Sequence, residues 1–187
     1  NQAAKLHFMY GGAVSVPIVV RGASGAGTGA AAQHSQSLES WFYHVPGLKV
    51  VTPSNAQNAY DLLLSSFVDA NPVIFMEHKL IYKVKENVTL NPIPKDSSYL
   101  GNASVAQEGT VLTIVSYSNM VNIVKEAVSM DELQNYSIEI VDLQTVSPID
   151  FETIKNSLIK TKKLLVCQEA PSNSSVGTTV VSKVVES

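Results

Sequence analysis

Short apolar runs, each only a few residues long and separated by stretches with helical spacing, restrict this chain to very few folds. Val16–Arg21 (VPIVVR), Leu48–Val51 and Pro72–Met76 (PVIFM) punctuate the first half, and Val111–Val115, Ser137–Leu143 and Leu164–Val166 the second. All are rich in β-branched residues, which suit a pleated surface. Because they are apolar at nearly every position, they read as strands buried on both faces, the condition of a parallel sheet covered by helices. The intervening segments supply those helices. Ser35–Val45 reads as a short one. Ser54 and Gln57 form a capping box for a helix to about Asp69, with Ala59, Leu62, Leu63 and Phe67 at helical spacing. Ser118 is expected to open a helix to about Leu133, and Ser147-Pro148-Ile149-Asp150 offers an N-cap serine, an N1 proline and an N3 acid for the next. Val176–Val185 closes the pattern as a final helix.

Residues 83–110 break the rhythm. They hold two prolines, two sequons and no sustained periodicity, so the chain is expected to divide into an α/β unit over 1–95 and a second over 96–187, joined by a meandering connection. Mean hydropathy is slightly positive, and only 16% of residues are charged, against about 25% in ordinary domains. That balance excludes a disordered chain and leaves surface that partners would cover. A net charge of −3 gives no basic excess to neutralise phosphates, so nucleic acid is not an expected partner. No apolar run approaches the roughly 18 residues needed to cross a bilayer, and no membrane partner is expected. The single cysteine, Cys167, cannot close an internal disulfide and lies beside apolar strand residues, where an inert thiol is expected. Sequons at Asn87, Asn102, Asn135 and Asn173 argue only weakly for secretion, so a reducing compartment is expected. The chain opens at Asn1 without Met or cap, which predicts a piece of a longer polypeptide.

The densest chemical signal is Gly22–Trp41, GASGAGTGAAAQHSQSLESW. Four glycines and five alanines within a dozen residues let backbone approach something closely. Gly25-x-Gly27-x-Gly29 does not match the dinucleotide fingerprint, and Gly22-Ala23-Ser24-Gly25-Ala26 puts alanine where a hydrolase elbow needs its last glycine. Close packing of a loop against its neighbours is the plain alternative. His34 follows this run and is expected to precede the positive end of a helix, which disfavours its protonated form. His7, His44 and His78 have no such setting and default to structural roles. No His/Cys cluster or paired carboxylates at ligand spacing suggest a transition metal.

The blocks AAAQHSQSLESWFYHVPGLKVVTPS, DANPVIFMEHKLIY, EIVDLQTVSPID and LLVCQEAP closely resemble the β subunit of the E1 component of 2-oxo acid dehydrogenase complexes, in order and over nearly the whole chain. The resemblance is nearest to pyruvate and acetoin members, with branched-chain enzymes further away. It implies a transketolase-like α/β fold: the C-terminal part of a pyrimidine-binding domain, followed by the first part of a transketolase C-terminal domain. It also implies thiamine diphosphate as cofactor, with the diphosphate and Mg²⁺ held by an α subunit in an α₂β₂ assembly. The acyl group would pass to a lipoyl arm of an E2 acyltransferase. His34 aligns with the family's active-site histidine in its Q-H-S-Q motif. The glutamate that activates the aminopyrimidine lies upstream of Asn1, so this stretch alone is expected to be inactive and to hold no cofactor by itself.

The resemblance further implies a structural K⁺ site with oxygens from Ile18, Ser66, Phe67, Asp69 and Asn71, although helix C-capping before Pro72 explains Asp69 and Asn71 equally well. Glu77 and Tyr82 match a strand-end E-x-x-L-x-Y and are expected at an interface or in packing. Glu169-Ala170-Pro171 matches a turn near surfaces that meet partners. A eukaryotic member would reside in mitochondrion or plastid, a bacterial one in cytoplasm. A non-catalytic scaffold is the reading of a different class.

Overall fold

Each apolar run becomes a strand, but the strands sort into two sheets that share one seam. The computed structural model describes residues 1–186. After helix α1 (Gln2–Met9), the strands β1 (Val19–Ser24), β2 (Lys49–Val51) and β3 (Val73–His78) run parallel, with β3 between the other two. Between them lie α2 (Glu39–Tyr43) and α3 (Ala56–Phe67). The second sheet has β5 (Leu112–Ser116) parallel to both β6 (Ile138–Asp142) and β8 (Leu164–Val166), while β4 (Ser104–Gln107) adds to β6 in antiparallel sense. Helices α4 (Asn119–Val128), α5 (Phe151–Thr161) and α6 (Val176–Glu186) complete it. Strand β4 falls inside the stretch read as a connection, because its four residues alternate too briefly to stand out beside Pro92, Pro94 and Gly101.

The remaining strand, β7 (Thr145–Ser147), belongs by sequence to the second half but pairs antiparallel with β2 of the first sheet. A hydrophobic cluster consequently runs through both halves: Val50 and Met76 pack with Val115, Val141, Leu143, Val146, Ile154 and Val180. Separate clusters seat α3 on the first sheet, through Leu62 against Val51, Val73 and Phe75, and α4 on the second, through Val121, Val124 and Val128 against Ile114 and Ile140. Phe75 is completely buried, and truncating it to alanine would cost about 3–5 kcal/mol.

Two helix starts differ from expectation for one reason: the polar residue read as a cap is drawn into tertiary contacts. Asn55, not Ser54, caps α3 by accepting from the Asn58 N–H at 2.8 Å. The Gln57 amide turns instead to Asp61 and the main chain of Thr89. Asp150 caps α5 by accepting from the Thr153 N–H at 3.0 Å, while Ser147 ends β7 and its hydroxyl donates to the Leu48 carbonyl. Ser118 sits at φ +56° before α4 without a side-chain cap, and α4 ends at Val128 rather than near Leu133.

Ser54 instead serves the seam. Its hydroxyl donates to the Asp142 carboxylate at 2.5 Å, its carbonyl accepts from Asn122, and the Thr52 N–H donates to the Gln144 carbonyl. Burial pushes the pKa of Asp142 up to about 6, against the opposing pull of Ser54, the Gln144 N–H and the Lys125 charge. The folded protein therefore binds a proton here more readily than the unfolded chain, so this residue's contribution to stability declines as pH rises from about 4 to 6. By linkage the loss is on the order of 3 kcal/mol. The Asp142→Asn variant lacks this titration. Its stability relative to the parent is expected to climb over that window in urea denaturation, and a pH-independent difference would contradict the shift.

Candidate functional site

The C-terminal ends of β1 and β3 feed the glycine-rich segment and the turn at Lys79–Lys83, the usual place for a site in an open parallel sheet. The segment does not form a long helix. It leaves β1 at Ser24, crosses an irregular stretch, makes a single 3₁₀ turn at Ala32–His34 and enters only the five-residue α2. His34 thus lies in a 3₁₀ turn ahead of a very short helix, and the helix-dipole reading of this residue is withdrawn. The imidazole is exposed on a cleft of about 340 Å³ whose walls include Val20, Leu38, Phe42, Ile74 and Met76. Polar lining comes from Ser24, Gln33, Gln36 and Lys79, with no carboxylate among the described lining residues. Such a surface can shield an apolar group from water and present one imidazole to it. It offers no donor set for a diphosphate-bound divalent metal.

Two of the glycines are explained by what stands behind them. Gly25 has φ +83°, and a Cβ there would lie 2.0 Å from the His78 ring. At Gly27, φ is +90° and a Cβ would meet Leu80 at 2.6 Å. Lys79 closes the base of the loop by donating to the Gly25 carbonyl at 2.5 Å and the Ser24 carbonyl at 3.2 Å. Close packing thus accounts for these small residues.

Beneath the loop is a polar network that local sequence could not disclose. Glu169, just past β8, accepts from the Ala26 N–H at 2.7 Å, the Ser37 hydroxyl at 2.7 Å and His78 Nε2 at 2.8 Å. His78 is buried, and its Nδ1 accepts from the Leu80 N–H, which leaves the proton on Nε2 for Glu169. Burial acts to raise the pKa of Glu169, but the bonds from Ser37, His78 and Ala26 outweigh it and hold the carboxyl below the usual range. Alongside, the Tyr117 hydroxyl donates to the buried Glu39 carboxylate at 2.6 Å; burial, then the Glu39 charge, raises the phenol's pKa strongly. Glu169 therefore faces inward to the loop. His78 and Glu169 are 91 residues apart, so only strand pairing brings them together.

The oxygens expected at a cation site do gather in one region. Phe67 and Ser66 end α3, Asp69 and Asn71 follow in the turn to β3, and the Ile18 carbonyl accepts from the Val73 N–H beside them. The Asp69 carboxylate is already engaged: it pairs with Lys49 and accepts from the Asn71 N–H at 2.8 Å. Burial acts to raise its pKa, but Lys49, Ser97 and Asn71 together bring it below the ordinary value. Main-chain carbonyls are thus the oxygens this region can offer. No three His, Cys, Asp or Glu side chains cluster as a metal site among the described residues. Glu77 accepts from Arg21 and from the Tyr82 hydroxyl, a packing role at the C-terminal end of β3. Burial raises the Cys167 thiol pKa, consistent with low reactivity. No helix among the described residues is long and apolar enough to cross a membrane.

Residues 1–85 match the family model of the transketolase pyrimidine binding domain, and residues 101–187 that of the transketolase C-terminal domain. The chain belongs to the transketolase-like family, with segments that match both domains in one polypeptide. Among its relatives is the pyruvate dehydrogenase E1 component subunit beta of Rickettsia conorii, 40% identical over 188 residues that take in 100% of this chain and 56% of that protein. The mitochondrial pyruvate dehydrogenase E1 subunits beta of Dictyostelium discoideum and Bos taurus are 41% and 38% identical, again over 100% of this chain and 52% of theirs. The chain thus spans about half the length of the curated relatives it matches. A structure titled "Split gene transketolase, inactive beta4 tetramer" shares the fold at a TM-score of 0.72 and 21% identity, covering 92% of this chain and 54% of that one.

The loop packing has a direct check. Gly25→Ala combines a left-handed backbone, costing roughly 1–2 kcal/mol, with a collision against His78. It is expected to lower the urea midpoint and raise hydrogen exchange over residues 25–37. Gly22→Ala, with an ordinary φ and nothing within 4 Å, should leave both unchanged. Equal behaviour of the two variants would refute the packing role.

Proposed function

We propose that this chain is part of the β subunit of a 2-oxo acid dehydrogenase E1 component, acting on pyruvate and passing the acetyl group to the lipoyl arm of an E2 acyltransferase. The observation that carries the reading is His34. It stands exposed in Gln33-His34-Ser35-Gln36 on the wall of an apolar cleft, in a chain matched from end to end by pyruvate dehydrogenase E1 β subunits. On this reading residues 1–95 and 96–187 are the parts of the two transketolase-like domains. An α subunit completes the site in an α₂β₂ assembly and holds Mg²⁺ and the diphosphate. The naming of both mitochondrial and rickettsial relatives supports a mitochondrial or bacterial cytoplasmic setting.

Thiamine diphosphate, when bound in the assembled enzyme, supplies the electron sink for loss of CO₂. The residues of this chain position and protonate. Leu38, Phe42, Ile74 and Met76 keep water from one side of the cleft. His34 Nδ1 or Nε2 donates a hydrogen bond to the reacting oxygen and delivers a proton as the acyl group moves to the lipoyl sulfur. Lys79 does not reach into this chemistry, because its ammonium is spent on the Ser24 and Gly25 carbonyls.

In the full-length assembled enzyme, His34→Ala is expected to lower lipoyl acylation by about 10²-fold or more, with the assembly intact by sedimentation. Unchanged turnover would end the assignment. The carbonyls of Ile18, Ser66, Phe67, Asp69 and Asn71 are proposed to hold K⁺. Replacing KCl with tetramethylammonium chloride at equal ionic strength should then lower the melting temperature of the assembly, since a ligand of the folded state alone stabilises it by mass action. An identical Tm in the two salts would discard the site.

A further inference from the structure

In the loop that carries His34, a single carboxylate receives bonds from both ends. Ala26 lies at the entry and Ser37 at the exit, and both donate to the same oxygen, Glu169 Oε1, at 2.7 Å. The ten residues between them, His34 included, form a closed excursion whose feet are held together at one atom. The second oxygen, Oε2, accepts from His78 Nε2, and that ring is the surface on which Gly25 is packed. Among the described residues, the Gly25 N–H to Gln36 carbonyl bond, 2.8 Å, is the one main-chain bond that joins the same two feet. Glu169 itself comes from the other sheet, two residues beyond Cys167, whose N–H is tied to the Val115 carbonyl of β5. The carboxylate therefore transmits the position of the second sheet to the loop of the first.

We propose that Glu169 is a positioning residue for His34, setting the span of the 26–37 loop and with it the place of the imidazole in the cleft. This rests on the reading of His34 as the active-site histidine. Glu169 touches none of the reacting groups; it acts through the loop. A charged acceptor with three donors is a stiff anchor, since bonds to an ionised oxygen are shorter and roughly twice as strong as neutral ones. Small displacements of a catalytic group carry large penalties: a misplacement of about 1 Å can cost roughly 10²-fold in rate. The glutamine at this position would keep an acceptor for Ala26 and Ser37 but turn an N–H₂ toward the His78 N–H, losing one arm of three.

The test uses the full-length chain assembled with its α partner, in Glu169→Ala, Glu169→Gln and His34→Ala forms. Acylation of a lipoyl domain and hydrogen exchange of residues 26–37 are followed together. Glu169→Ala is expected to lower kcat for acylation by about 10–100-fold while KM for the 2-oxo acid stays within about 2-fold. Exchange over the loop should rise, with that of β5 and β6 unchanged. Glu169→Gln should fall between Glu169→Ala and the parent in both readouts. With kcat referred to titrated active sites, a merely structural loss would instead reduce the number of assembled sites and leave kcat per site at the parental value, which would overturn the proposal. If Glu169→Ala does not assemble, Ser37→Ala removes one foot alone and is expected to raise loop exchange and lower kcat several-fold; parental values in it would overturn the proposal. Parental kcat in Glu169→Ala beside an inactive His34→Ala removes the positioning role alone. Parental turnover in His34→Ala removes the functional reading itself.

Discussion

The pairing of β7 with β2 is the contact on which the remainder of this molecule depends. Three residues, Thr145–Ser147, leave the second sheet and complete the edge of the first. Without that pairing, Val50 and Met76 would share no core with Val141, Val146 and Ile154, and each half would be left with a small cluster under a single helix. A core of that size is marginal for an isolated domain of some 90 residues, whereas one continuous core through both halves is not. The seam is reinforced by polar bonds in sequence order along β2: the Leu48 carbonyl with Ser147, the Thr52 N–H with Gln144, and Ser54 with Asp142. The last of these involves a carboxylate that burial disfavours in its charged form, so the seam combines a strong apolar contact with a pH-dependent polar one.

With the halves fixed in this way, the end of β8 is placed beneath the loop that leaves β1. Glu169 then finds three donors contributed by two separate turns of the first sheet, and the tautomer of His78 is set by the Leu80 N–H on its far side. The glycine-rich run belongs to the same construction. Gly25 and Gly27 are glycines because a ring and an isopropyl group occupy the space where their Cβ atoms would be, and because φ at both is positive. The cleft with His34 is therefore a surface held from behind by groups of the opposite sheet.

Sequence reading located the strands because a buried parallel strand is apolar at every position, a pattern that survives without any knowledge of partners. It also located His34, through the motif that surrounds it. It misplaced the starts of α3 and α5, since Ser54 and Ser147 have the chemistry of caps and only the seam shows that their hydroxyls are used elsewhere. It gave the helix after His34 too long a span, Ser35–Val45 against the observed Glu39–Tyr43, because Ser35–Ser37 belong to a loop governed by Gly25, Gly27 and the bonds to Glu169. Strand β4 was missed because four residues with one break in register carry too little periodicity to be seen.

The sequence by itself determined the fold class, the order of the six apolar strands and the identity of the exposed imidazole, since these rest on local periodicity and on contiguous motifs. Only the tertiary structure decided that β7 belongs to the first sheet, that Asp142 is buried opposite Ser54, and that Glu169 holds both feet of the loop. The physical reason is distance along the chain. Ser54 and Asp142 are 88 residues apart and His78 and Glu169 are 91, and hydrogen bonds between residues so far apart leave no spacing to read in either segment.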